Sequence, residues 1–407
     1  GQATTDHNYF KERAEQLEQV ENIFNEIDGD GLNKVLNKFY NSFRELGNQP
    51  ENETIRSVVR DSAQLVSQDF KRIRGNLDGL ARQVDKRLEQ EVEEINQASH
   101  NIAGLNKKIA VIEGLGGETG DLRDQRDLII RRLSESFSVN AYMDERNNFI
   151  VMARNVGTIV SGTEVQELAV RGTSKDDSSN NMSGSVEVFF KHRPAVSMTD
   201  KFKGGRLTSM TKVRNEEIKG FQEKIDDIAY NLANSVNAIH RRGYANREAQ
   251  PGAVADSKGP LTGIDFFKTP TTKENAALNM DLSELVKDDL SNISTALDAN
   301  SPGDNRIALA ISKLQHERIM DEGTSTLEES YLQTIGRVGL ETGKANLDRE
   351  QSEGILVQAN NIRERISGVN LDEETANMVR FQHAYQASAK VMQTAQQMFD
   401  TVLNIKR

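Results

Sequence analysis

The sequence predicts a mainly α protein: an elongated bundle of long helices, a small inserted β domain and a C-terminal coiled-coil helix. Apolar side chains recur at spacings of three and four over most of the 407 residues, as on one face of a helix. Between residues 137 and 202 the pattern changes to short, β-rich runs. The last residues carry apolar side chains every seven positions, which is the repeat of a coiled coil.

The composition argues against several classes of protein. Hydrophobic residues make up 36% of the chain and charged residues 28%, and the mean hydropathy is −0.62, a balance that suits extended helices better than a compact enzyme. The net charge of −11 makes nucleic acid and anionic membranes unexpected partners. The absence of cysteine excludes disulfides and thiolate metal sites. No run approaches the ~20 apolar residues that span a bilayer, and no cleavable signal peptide is visible.

Residues 1–136 are predicted to form the N-terminal part of a helical rod domain. The longest helical pattern runs from about residue 53 to residue 113, and fifty residues of it would measure ~75 Å at 1.5 Å per residue. Gly75 and Gly79 lie inside this pattern and weaken the case that the helix is unbroken. The other helices predicted here span about 10–27, 32–46 and 121–136.

Residues 137–202 are predicted to form the β domain, in which clusters of Gly, Asn, Asp and Ser separate the strands. The polar tract 175–181 is its expected mobile loop. The predicted strands are 139–142, 148–152, 158–160, 165–170 and 186–190.

Residues 203–369 are predicted to form the C-terminal part of the rod domain. Helix returns after Gly204-Gly205, a turn-rich mixed segment occupies 242–304, and a further helix is expected over 307–320. The last helix of this part, about 327–367, carries an apolar stripe at Ile335, Val338, Leu347, Ile355, Ile362 and Ile366.

Residues 370–407 are predicted to form a coiled-coil, inner-core helix. Asn370 is placed to cap its first N–H groups, and Glu373 completes a spacing like that of a capping box. The stripe could pack inside the monomer, but a capped, strongly patterned terminal helix favours assembly with other chains. The predicted assembly seam consists of Leu371, Met378, Phe381, Tyr385, Met392, Ala395, Phe399 and Val402, with Ser388 as its polar exception.

Motifs with a chemical meaning are weak in this chain. Asp28-Gly-Asp-Gly31 lacks the glycine and the terminal acid of a calcium loop, and the Gly114–Gly120 loop lacks the Lys-Ser/Thr ending of a phosphate loop. His316-Glu317 has Met320 where a zinc helix needs its second histidine. His240 is interpreted as a favourable charge at a helix C-terminus. We therefore expect no enzyme activity, no cofactor and no metal.

Several segments together resemble one protein family. Ser367–Glu374 followed by Phe381–Lys390 resembles the C-terminal signature of flagellar rod, hook and hook-associated proteins. The internal segments resemble, in order, those of the hook-associated protein 1 family, the hook–filament junction proteins. They are Phe39–Leu46 with Asn48-Gln-Pro50, Gly120–Asp127, Gly204–Leu207, Asn234–His240, Gly263–Phe267 and Gly303–Ala310.

The resemblance implies a structural protein of the bacterial flagellum, exported without a cleavable signal peptide to an extracellular position. It implies a ring of self-associated subunits that adapts the hook protein to the next hook-associated protein, and an export chaperone on the C-terminal helix. The family's first helix, the mate of the C-terminal one, has no counterpart before Gln2 in this sequence. Two alternatives remain: another axial protein of the hook or distal rod, and a coiled-coil adaptor unrelated to flagella.

Overall fold

The computed structural model describes residues 1–24, 31–173, 184–248, 250, 252–367 and 371–405; within these, the side chains of 366–367, 371–374 and 400–405 are left out of the description. The chain divides into two compact units, Gly1–Ser352 and Glu353–Arg407, and each is described by itself. The α-helices of the described residues are α1 (Gln2–Phe24), α2 (Leu32–Asn48), α3 (Glu53–Gly114), α4 (Gly120–Ser136), α5 (Gly205–Lys212), α6 (Lys219–His240), α7 (Glu284–Asp288), α8 (Arg306–Lys313), α9 (Leu327–Ser367) and α10 (Leu371–Ile405).

The longest helix, α3, is continuous over 62 residues, through both Gly75 and Gly79. Its first N–H groups are capped by Asn52, whose side-chain oxygen accepts hydrogen bonds from the N–H groups of Thr54 and Ile55 at 3.0 and 3.3 Å. The prediction of one long helix over 53–113 is confirmed. The doubt raised by the two glycines was wrong, because the tertiary contacts of α3 along its whole length outweigh the cost of ~1 kcal/mol per glycine.

The first helix begins at Gln2, eight residues before the apolar pattern suggested. It packs against α3, α4 and α5. Near its start the hydroxyl of Thr5, which is buried, donates to the carbonyl of Ser134 at 2.6 Å. The first turns of α1 are therefore held by polar contacts, which a search for apolar spacing does not detect.

The β segment forms a four-stranded antiparallel sheet in the order β1-β2-β3-β4 and a separate pair, β5-β6. The predicted run 165–170 is split between two strands in different sheets. The strands are β1 (Val139–Met143), β2 (Phe149–Ala153), β3 (Gly157–Ser161), β4 (Glu164–Val165), β5 (Leu168–Gly172) and β6 (Val186–Phe190). A last short pair, β7 (Ala255–Asp256) and β8 (Gly259–Pro260), lies in the mixed segment.

The β segment packs against the side of α3 through β3, β4 and β5. Its buried strand residues, such as Val151, Val160 and Val188, belong to the same hydrophobic cluster as the helices. The guanidinium of Arg126 in α4 lies 3.5 Å from the ring centre of Phe149, as a cation–π contact. The segment therefore shares its core with the helices. The predicted loop 175–181 lies outside the described residues.

A π-helical turn, Val213–Ile218, joins α5 to α6 without a break. Three of its side chains reach three different elements. Arg214 pairs with Asp85 of α3 at 2.8 Å, and Asn215 exchanges two hydrogen bonds with the backbone of Val186 in β6, at 2.7 and 2.8 Å. Glu217 accepts from Arg13 of α1 at 2.9 Å. The wider π turn thus spreads consecutive polar residues around the helix and ties α1, α3 and β6 together.

The mixed segment between α6 and α8 is anchored by buried polar groups. His240, interpreted above as a charge at a helix end, is instead fully buried, and burial lowers its pKa to about 4. Its Nε2 accepts from the N–H of Ser294 at 2.8 Å, so Nδ1 carries the proton donated to the carbonyl of Ile264 at 2.7 Å. The sequence interpretation was wrong because the core accommodates a neutral imidazole whose two nitrogens are both hydrogen-bonded, whereas it does not accommodate a charged imidazolium.

The last helix of this region is shorter than the sequence predicted. The helix expected over 307–320 ends earlier: α8 stops at Lys313, one 3-10 turn follows (Leu314–His316), and Met320 lies in an extended bridge to Ser325.

The buried guanidinium of Arg56 donates to the carbonyls of Pro50, Leu290 and Ile293 and to the hydroxyl of Thr295, and burial lowers its pKa to about 10.

Candidate assembly surfaces

The C-terminal helix α10 leaves its apolar side chains exposed. Leu371 and Val402 lie within the helix, but their side chains are outside the described residues, as are Asn370 and the side chain of Glu373, so the predicted cap remains a prediction. Ala395 is exposed. The five large seam residues are between 67% and 78% exposed: Met378, Phe381, Tyr385, Met392 and Phe399.

A second apolar stripe runs along α10 and was missed by the search for a single seam. Ala384, Val391 and Met398 are also spaced by seven, and the last two are 69% and 66% exposed. At 100° per residue this stripe lies about 100° to 140° around the helix from Tyr385. Between Thr375 and Phe399 the only formally charged side chains are those of Arg380 and Lys390. A helix so apolar on more than one side is typical of one covered by several neighbours.

A further apolar surface lies on α9. Its inner face carries buried Tyr331, Val338 and Ala345, and the hydroxyl of Thr342 donates to the carbonyl of Leu17 in α1 at 3.3 Å. The apolar residues named from the sequence lie on this helix but differ in burial: Ile335 and Val338 face inward, whereas Leu347, Ile355 and Ile362 are exposed, and the side chain of Ile366 is outside the description. The exposed apolar residues of α9, from 42% to 71%, are Leu332, Leu340, Leu347, Ile355, Val357 and Ile362.

One arginine holds α1, the π turn and α9 together. Nη2 of Arg13 lies 2.9 Å from Oε1 of Glu217 and 2.7 Å from Oε2 of Glu341. Burial raises the pKa of Glu217, although the charge of Arg13 opposes this shift. An arginine shared by two carboxylates, one of them buried, fixes the angle between the helices that carry them more firmly than an exposed pair would.

The loop between α3 and α4 has a structural explanation for its glycines. The N–H of Gly117 donates to the carbonyl of Ile112 at 2.9 Å and that of Gly116 to the carbonyl of Glu113 at 3.0 Å, the two bonds of a Schellman motif. Gly116 has a φ of 78°, in the left-handed region. Leu115, at the tip, is 85% exposed. The loop therefore caps the C-terminus of α3, which agrees with the interpretation that it is not a phosphate loop.

A cleft of about 860 Å³ lies between α3, the π turn, α6 and residues 273–275. Its buried charges are already paired, Arg74 with Asp226 at 3.0 Å and Arg214 with Asp85 at 2.8 Å. Within the described ranges no group of three His, Asp or Glu side chains is arranged to hold a metal ion. Of Asp28–Gly31, only Gly31 is described, where it precedes α2. None of the helices in the described part of the chain has a stretch apolar enough to cross a membrane.

Comparison with known proteins gives two family matches. The model described as the flagellar hook-associated protein FlgK helical domain matches residues 17–255, and that of the flagellar basal body rod FlgEFG protein C-terminal matches residues 364–405. Flagellar hook-associated protein 1 of Bacillus subtilis is 29% identical over 423 residues, covering 97% of this chain and 80% of the relative. That of Escherichia coli is 22% identical over 482 residues, covering 99% and 86%.

A solved structure shares the fold. The flagellar hook junction protein FlgK from Burkholderia pseudomallei matches with a TM-score of 0.72 at 13% identity, over 89% of this chain and 98% of that one. The prediction of a mainly α fold with a small β region and a long C-terminal helix is confirmed.

Proposed function

The chain belongs to the flagellar hook-associated protein FlgK family, whose helical-domain model it matches over residues 17–255, and from this premise we infer its role. It is a structural protein of the bacterial flagellum at the hook–filament junction. The match over residues 17–255 favours this family over the alternative of a hook or distal-rod protein. The C-terminal match would not decide between them, because it covers a region that rod proteins share. As a flagellar component it works outside the cell, and we propose that it is exported without a cleavable signal peptide.

We propose that the subunits form a ring that adapts the hook protein on one side to the next hook-associated protein on the other. The observation that supports this most directly is the exposure of both apolar stripes of α10. Burying them against neighbouring helices would contribute roughly 25 cal/mol for each Å² of apolar surface removed from water. The exposed face of α9 would form a second contact between subunits.

We propose no catalytic role, no cofactor and no contact with nucleic acid or membrane. The net charge of −11 supports the part of this proposal that concerns nucleic acid and anionic membranes, because like charges repel. Before assembly, an export chaperone would cover α10, whose stretch from Thr375 to Phe399 has few charges to keep it in water.

The test is electron microscopy of flagella from a strain that lacks the gene and carries either the wild-type chain or a Phe381→Asp variant. Bare hooks with flagellin in the medium are expected for the empty strain and for the variant, and full filaments for the wild type. Filaments of normal length in the empty strain would contradict the junction role. Filaments of normal length in the strain that carries the variant, together with bare hooks in the empty strain, would contradict the role of the seam and leave the junction role standing.

A further inference from the structure

Strand β1 is an edge strand of the four-stranded sheet. Among the described residues it pairs with β2 only, in a register that joins Val139 to Ala153 and Met143 to Phe149. Four of its five residues are exposed, and the side chains of Tyr142 and Met143 are about half accessible. A sheet edge with exposed side chains on both faces is a site where another strand can add.

The hydrogen-bond pattern shows which backbone groups of this edge face outward. At either end of the strand, the N–H of Arg154 donates to the carbonyl of Ser138 and the N–H of Asp144 donates to the carbonyl of Asn148. Antiparallel pairs alternate, so the even-numbered residues of β1 bond β2. The N–H and C=O groups of Val139, Ala141 and Met143 therefore point away from the sheet.

The side chains of the same residues extend the core face of the sheet. Val139 packs against the hydrophobic core, while Ala141 and Met143 continue that face into solvent beside Val151 and Phe149. The strand has no lysine, no proline and no bulge, the devices that usually protect an edge.

The charges at the two ends of β1 are opposite. Asp144 and Glu145 follow the strand at the hairpin turn, where Arg146 offsets one of them. At the other end Ser138 bonds the backbones of Arg154 and Lys203, whose side chains are exposed. An antiparallel second copy of β1 would place the acidic end of each strand against the basic end of the other, twice.

We propose that a second copy of this chain adds to this edge, β1 against β1, antiparallel and centred on Ala141. In this register Ala141 faces Ala141 and Val139 faces Met143, so all the outward backbone groups of both strands are bonded. A twofold contact relates two copies symmetrically, whereas subunits of a ring follow one another head to tail. The contact thus belongs to the free chain and is independent of the proposed function.

The first test is sedimentation of the full chain over about 10 µM to about 1 mM, since so small an interface predicts weak pairing. The wild type should dimerise with concentration, less so in high salt. Ala141→Pro and Met143→Lys should be monomeric throughout. Ala141→Pro costs no bond to β2, because that N–H faces outward, and circular dichroism would confirm the fold. Val196→Lys, at another exposed apolar position, is the matched control and should dimerise as the wild type does.

A monomeric wild type at every concentration, or dimers unaffected by both variants, would overturn the proposal. The register is tested by cysteines, which the natural chain lacks. Ala141→Cys alone should cross-link, and so should a mixture of Asn140→Cys with Tyr142→Cys, whose Cα atoms would lie about 4.5 Å apart. Asn140→Cys alone should not. Equal cross-linking of all three would contradict the twofold register.

Discussion

The side-chain amide of Asn96 in α3 and the backbone of Leu168 in β5 bind each other in both directions. The N–H of Leu168 donates to Oδ1 at 2.9 Å, and Nδ2 donates to the Leu168 carbonyl at 3.0 Å. Both residues are buried. The amide of Asn96 thus bonds the backbone of Leu168 as a neighbouring strand would. It attaches the β5-β6 pair to α3 at this residue.

We expect Asn96→Leu to destabilise the Gly1–Ser352 unit by about 2–4 kcal/mol, because it leaves a buried N–H and C=O without partners. Urea unfolding followed by circular dichroism measures the change. Gln97→Leu, at the next and exposed position, is the control and should stay within about 0.5 kcal/mol of the wild type. A similar result for both variants would show that the pair does not hold β5.

The ion pair between Arg74 and Asp226 gives a second prediction. Both side chains are buried, and Asp226 also accepts from the N–H groups of Asn275 and Ala277 at 3.1 and 2.9 Å. Arg74→Met should cost about 3 kcal/mol, since it leaves a buried carboxylate without its cation. The loss should shrink when Asp226→Asn is added. Arg82→Met, on the exposed face of α3, should have little effect in the same unfolding assay.

Two glycines should respond to alanine in opposite directions. Gly79 lies within α3, and a Cβ there would meet no atom within 4 Å, so Gly79→Ala should stabilise by about 1 kcal/mol. Gly205 has a φ of 73°, and a Cβ there would lie 2.3 Å from the backbone of Ser136. Gly205→Ala should therefore destabilise strongly. Melting temperatures of the two variants check this, and a shift of both in the same direction would contradict it.

His240 makes the stability of the fold depend on pH. Its pKa is about 4 in the folded chain and about 6.5 when unfolded, so the unfolded state binds the proton first. Its contribution is complete above pH 6.5 and is lost as the pH falls from 6.5 toward 4, by up to about 3 kcal/mol. His240→Gln should flatten this part of the profile, whereas His316→Gln, which is exposed, should not. An unchanged slope in His240→Gln would refute the assignment.

The seam on α10 gives a prediction about assembly. Phe381→Asp or Phe399→Asp should abolish filament growth and leave the melting temperature unchanged, because both side chains are already exposed in the free chain. Val391→Asp, on the second stripe, should also impair growth. Gln386→Asp adds the same charge at an exposed polar position and should support growth. If Gln386→Asp failed as well, charge on α10 and not the seam would be responsible.

The parts of the fold that the sequence predicted are those where one apolar period continues for many residues. The bounds of α9, 327–367, and the strand 186–190 are confirmed as predicted. The π turn was missed, although the sequence carries a signal for it: the buried Val213 and Ile218 are five residues apart, where an α-helix would give three or four. The burial of His240 was missed because its partners, Ile264 and Ser294, are distant in sequence and contribute only backbone atoms.

For the candidate surfaces too, the sequence revealed the apolar spacing but not which face of a helix is buried. The exposed seam of α10 was named from its heptads, although its role in assembly stays a prediction. On α9, Leu332, Leu340 and Leu347 are spaced by eight and seven, a signal that could have been found. A single-sequence pattern cannot tell an inward stripe from an outward one when both faces of a helix are apolar. The contact with α1 decides it.

The unbroken course of α3 has a mechanical consequence. At 1.5 Å per residue its 62 residues span about 93 Å, and α2, α4, α6 and the strands β3 to β5 all pack on it. A torque applied near Asn52 reaches Gly114 through one continuous ladder of backbone hydrogen bonds, without crossing a loop that could absorb it. A load applied along this axis would be carried by the helix itself, so the stiffness of the Gly1–Ser352 unit along α3 would be that of its backbone ladder.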